Sequence, residues 1–118
     1  MTFDGTIVEH EYPNIGLPVS NAIYYLNKFQ ELGIKLILRT VRDGKKLQEA
    51  VDYCSRYGFK FLGINENPEQ FTSSPKPHHT LSIDDRNFDS PLIYSLDGTR
   101  PFVNWDIVGP SILKMMEI

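Results

Sequence analysis

Apolar positions recur along this chain with two different periods. Ala22, Ile23, Leu26, Phe29 and Leu32 follow one another at three- and four-residue spacings, so a helix carries them on one face, with Ser20 as its cap and Gly33 suited to end it. Leu47, Ala50, Val51, Cys54 and Tyr57 repeat the pattern, which predicts a second helix starting near Asp43 or Gly44 and closing at Gly58. Between and around these stripes the apolar residues bunch into short β-branched and aliphatic runs. Ile34 to Arg39 is one, bounded by Gly33 and a polar turn, and Phe59 to Ile64 is another. The short run that ends in Asp4-Gly5-Thr6 puts Asp4 at the C-terminal end of a first strand, and Thr80 to Ile83 reads as a fourth.

The remaining segments are polar or punctuated. Glu9 to Pro18 is loop-like, and Asn65 to His79 holds three prolines, two asparagines and three Ser/Thr residues in 15 positions, a composition for a loop or one short helical turn. Leu92 to Leu96 and Pro101 to Val103 flank Asp97-Gly98-Thr99-Arg100, which predicts a C-terminal β-hairpin, and a last helix runs from about Asp106. Strands alternating with helices imply an α/β domain on a mainly parallel sheet with right-handed crossovers.

Composition narrows the classes of function. At 118 residues the expectation is a single domain over 1–118, with a core but no room for a separate cap. A net charge of -3 and a pI near 5.5 provide no basic footprint for nucleic acid, so a small-molecule partner is expected. One cysteine, no zinc-type spacing and no apolar run long enough for a membrane point to a cytoplasmic protein in a reducing compartment.

The candidate chemistry collects where strands end. Asp4-Gly5-Thr6 closes the first apolar run, Thr40 the second, and Asp84-Asp85-Arg86-Asn87 the fourth, while Lys76 lies in the polar loop eight residues before Asp84. The carboxyl ends of parallel strands are where open α/β sheets bind ligands. Two adjacent carboxylates there repel one another unless a cation or hydrogen-bond donors compensate, and magnesium suits such a site because it needs only one or two protein carboxylates plus phosphate oxygens.

In this order the four features resemble the motifs of the haloacid dehalogenase (HAD) superfamily of phosphohydrolases, most closely its small capless members. The resemblance implies a HAD-like Rossmannoid three-layer sandwich whose central strand, ending at Thr2 to Asp4, lies between those ending at Thr40 and at Ile83. It also implies a Mg²⁺-dependent phosphatase acting on a small phosphorylated substrate. Asp4 would then be the general acid and base; Thr40, Lys76 and Gly5 would bind phosphate; and Asp84, Asp85 and the backbone carbonyl of Asp4 would hold the metal.

The sequence departs from this pattern at one position. Thr2 stands where the family carries its nucleophilic aspartate, and only Met1 precedes it, so the first strand reads as truncated. A threonine phosphoester is chemically stable, and the hydroxyl needs a base that no motif supplies. Three readings follow: a start upstream of Met1, a non-catalytic phosphate- or nucleotide-binding relative, or removal of Met1 to make Thr2 an N-terminal nucleophile. Arg42 adds a cation beside Thr40 or is a solvated turn residue, and His78 and His79 read as loop histidines.

Overall fold

The first two helices stop where the backbone turns left-handed. In a computed structural model describing residues 1–65, 82–94 and 100–115, α1 spans Ala22–Glu31 and α2 spans Gly44–Arg56. Gly33 (φ +87°) follows α1 and Gly58 (φ +89°) follows α2. The same pair of bonds closes both ends. Gly33 and Ile34 donate to the Gln30 and Phe29 carbonyls, and Gly58 and Phe59 to those of Ser55 and Cys54, an arrangement that satisfies carbonyls the helix leaves over. The N-terminus of α1 differs from expectation. Asn21, not Ser20, is the cap, in the left-handed conformation (φ 65°), and its side chain donates to Asp106 Oδ1 instead of to its own helix.

The strands are shorter than the apolar runs that predict them. β1 is Leu36–Leu38 and β2 is Phe61–Ile64, paired in parallel through the α2 crossover. Met1 lies along β1 as well: its amino nitrogen donates to Ile37 O (2.9 Å) and its carbonyl accepts from Arg39 N (2.8 Å), the slanted bonding of a parallel ladder. Thr2 N then donates to Ile83 O at 3.2 Å. Met1-Thr2 therefore runs between β1 and the segment that leads into Asp84. β3 (Leu92–Ile93) and β4 (Phe102–Val103) pair antiparallel, and α3 follows over Trp105–Met115.

Beyond Met1-Thr2 the chain turns at once. Phe3 O accepts from the amides of Thr6, Ile7 and Val8, and Gly5, at φ +82°, reverses the chain so that its own amide donates to Val8 O (2.7 Å). Phe3, Ile7 and Val8 are all fully buried in the turn. They join Leu26, Phe29, Leu38 and Cys54 in one core cluster. Trp105, at the start of α3, is buried against Phe29 and donates Nε1–H to Thr6 O at 2.7 Å. Farther along α3, Gly109 lets Tyr25 of α1 press in, since a β-carbon there would stand 2.4 Å from the ring.

The chain is thus a small mixed α/β fold with a short parallel sheet. Among the described residues no helix is long and apolar enough to cross a membrane.

Candidate functional site at the strand ends

Asp4, immediately before the Gly5 turn, meets a residue that the sequence left open. Arg42, two residues past Thr40, donates Nε–H to Asp4 Oδ2 and Nη2–H to Asp4 Oδ1, both at 2.7 Å. This planar fork matches carboxylate geometry. The rest of the guanidinium is used too. Its Nη2 reaches Asn14 O (2.8 Å), its Nη1 reaches Pro13 O (3.3 Å), and its plane lies against the rings of Phe3 and Tyr12 at 5.2 and 5.0 Å. Arg42 is 1% exposed, so the reading as a solvated turn charge is corrected. The hydrogen bonds to Asp4 raise its already high pKa.

Thr40 sits directly before this pair. Its Oγ1 accepts from Arg42 N (3.0 Å), closing the turn into α2, while its own amide donates to Asn65 Oδ1 (2.7 Å). Among the described residues its hydroxyl proton meets no acceptor. Thr2 points to another hydroxyl: Thr2 Oγ1 and Thr6 Oγ1 are 2.6 Å apart, a distance that uses one of the two protons and leaves the other.

Asp84 and Asp85 separate in role although they are adjacent. Asp84 Oδ1 accepts from Arg86 N (2.9 Å), a turn contact. Asp85 is largely buried and faces inward, with Oδ2 3.0 Å from His10 Nε2 and 3.8 Å from Arg100 Nη2. Burial pushes the Asp85 carboxyl above its ordinary value, helped by a hydrogen bond with Asp84, while His10 pulls it back.

His10 and Asp85 both crowd Gly5. A β-carbon on Gly5 would stand 2.3 Å from His10 Nε2 and 2.7 Å from Asp85 Oδ2, so this glycine is required by space as well as by its positive φ. We expect Gly5→Ala to cost at least about 1–3 kcal/mol through the strained backbone alone. The fall in thermal midpoint should come with a changed His10 ring environment in proton NMR; an unshifted midpoint would mean that the turn is not as tight as described.

The expected site residues thus converge in part. Thr40 follows β1, Thr2 is bonded to Ile83 directly before Asp84, Asp4 and Gly5 enter the Phe3 to Val8 turn and Asp85 faces Gly5, while Lys76 lies outside the described residues. Met1 fills a ladder position beside β1, so the N-terminal-threonine reading would remove a residue from the sheet. Sequence reasoning missed His10 and the depth of Arg42. Neither has a local signal, since each finds its partner 75 or 38 residues away.

Magnesium, which the resemblance implies, would fall to Asp84, Asp85 and the backbone carbonyl of Asp4. Asp84 Oδ1 accepts from Arg86 N, Asp85 Oδ2 lies 3.0 Å from His10 Nε2, and Thr2 brings no charge. Among the described residues no three His, Cys, Asp or Glu side chains come together to hold an ion. An open groove of about 670 Å³ lies elsewhere, lined by Asn14, Ile15, Glu49, Asp52, Ser55 and Arg56, and takes in none of the expected site residues.

Fold and site together define a small α/β protein with its polar cluster at the ends of a parallel sheet. No family model and no curated protein matches the chain. A solved structure does: that of a conserved protein coded by a locus from Bacteroides thetaiotaomicron, 34% identical, covering 97% of this chain and 87% of that one with a TM-score of 0.72. The chain belongs to the same family as that conserved protein.

Proposed function

We propose that the chain is a capless HAD-like domain whose strand ends hold a small phosphorylated compound without hydrolysing it. One observation carries the reading. The backbone of Met1-Thr2 runs between β1, which leads to Thr40, and Ile83, which leads to Asp84, so three separate stretches deliver their polar termini to one end of the sheet. This ordering of segments supports the HAD-like reading.

Binding rather than turnover follows from how the groups are used. Among the described residues Thr2 has a hydroxyl as its partner and no base, while Asp4 has both oxygens committed to a guanidinium. The hydroxyls of Thr40 and of the Thr2–Thr6 pair keep protons to donate to phosphate oxygens, and Lys76 adds a cation on the resemblance. The test uses inorganic phosphate and p-nitrophenyl phosphate as probes in calorimetry. Saturable binding with nitrophenol release at the uncatalysed background is expected, and steady turnover by the unmodified protein would overturn the reading.

A further inference from the structure

We infer that Arg100 is the cation that takes the phosphate group at the strand ends, held ready for it by Asp85. The backbone brings Arg100 to the site. Val103 N donates to Gly5 O at 2.8 Å, so β4 is docked on the turn that carries Asp4 and Gly5, and Arg100 comes just before β4. Its Nη2 lies 3.8 Å from Asp85 Oδ2, the oxygen that also faces His10 and Gly5. That separation makes an ion pair without a hydrogen bond. Asp85 does not depend on it, because His10 Nε2 stands 3.0 Å from the same oxygen.

Arg42 provides the contrast. Its guanidinium is buried and its hydrogen bonds run to Asp4, Pro13 and Asn14, so those donors are spent inside the fold. The Arg100 side chain stays 53% exposed beside a carboxylate that is 8% exposed, and its guanidinium donates a hydrogen bond to no described residue. A planar fork with unspent donors facing water is how arginine takes phosphate, through two parallel N–H···O bonds at once. A phosphate dianion arriving beside Asp84 and Asp85 is repelled by both. With five donors, the guanidinium can face the buried carboxylate along one edge and the phosphate along another. The hydroxyls of Thr40 and of the Thr2–Thr6 pair bring hydrogen bonds without charge, and Arg100 brings the charge they lack.

The role of Arg100 rests on the proposed phosphate ligand, and calorimetry with inorganic phosphate separates the two. At low ionic strength the unmodified protein is expected to bind phosphate saturably and Arg100→Gln to bind it about tenfold to hundredfold more weakly. Arg100→Lys keeps the charge and loses the fork, so its affinity should fall between them. Arg86→Gln removes the same charge next to Asp85, from a side chain that no described residue orients, and should stay within about threefold of the parent. Urea unfolding checks that each variant keeps the fold. If Arg100→Gln binds phosphate as tightly as the parent, Arg100 is not the receiving cation, while the phosphate reading stands. Equal losses in Arg100→Gln and Arg86→Gln would reduce both to a general surface field and also overturn the assignment. If the parent binds no phosphate, both fall together. A second readout is the Nε–H signal of Arg100 in nitrogen-15 NMR, identified by its loss in Arg100→Gln. It should move on adding phosphate and not on adding chloride at matched ionic strength; an unmoved signal in a protein that binds phosphate counts against the role.

Discussion

Replacing Arg42 with Met is expected to remove about 3–5 kcal/mol of stability, the usual cost of taking one partner from a buried ion pair. Met preserves much of the stem volume between Phe3 and Tyr12, so the loss is chiefly electrostatic. It strands the Asp4 carboxylate and orphans the Pro13 and Asn14 carbonyls, three acceptors that this one side chain now satisfies. Against a total of about 5–15 kcal/mol for a domain, that is a large share. Urea unfolding should show the midpoint falling at unchanged slope. Adding Asp4→Asn should recover part of the loss, because the uncompensated charge goes with it; strictly additive losses would mean that the two residues do not act as a pair.

Trp105→Ala is expected to be equally severe, again about 3–5 kcal/mol, by the large-to-small route. The indole is fully buried against Phe29, and its truncation opens a cavity at the junction of α3 with the Phe3 to Val8 turn. It also leaves Thr6 O without its donor. Trp105→Phe divides the two effects, keeping most of the volume and losing only the hydrogen bond, for a cost nearer about 1–3 kcal/mol. Equal losses for Phe and Ala would show that packing counts for little there.

The parts of the fold legible beforehand are those governed by local period and punctuation. α1 and α2 lie where the apolar stripes place them and end at the glycines, because a helix face and a left-handed stop are both written within a few residues. The core of each run from Ile34 and from Phe59 is a strand, although the ends are not. The first strand is expected to end at Thr2 to Asp4, and the chain does turn there, Gly5 taking a positive φ while Phe3, Ile7 and Val8 stay buried. In the site, the types of residue were readable and their pairings were not. Nothing near Arg42 in sequence announces Asp4, and nothing near His10 announces Asp85, since both contacts are made by tertiary folding. Adjacent aspartates suggested a shared cation, whereas the fold provides each with a different neighbour.

The indole that ties α3 to the Phe3 to Val8 turn has an optical consequence, because Trp105 is the only tryptophan of the chain. Excited selectively near 295 nm, it is a single reporter whose ring is shielded from water and whose N–H ends on the carbonyl of Thr6, the residue whose hydroxyl faces Thr2. Its emission should be blue-shifted in the folded protein and move to the red as the turn opens. Quenching by acrylamide then measures how often that turn breathes, without any label.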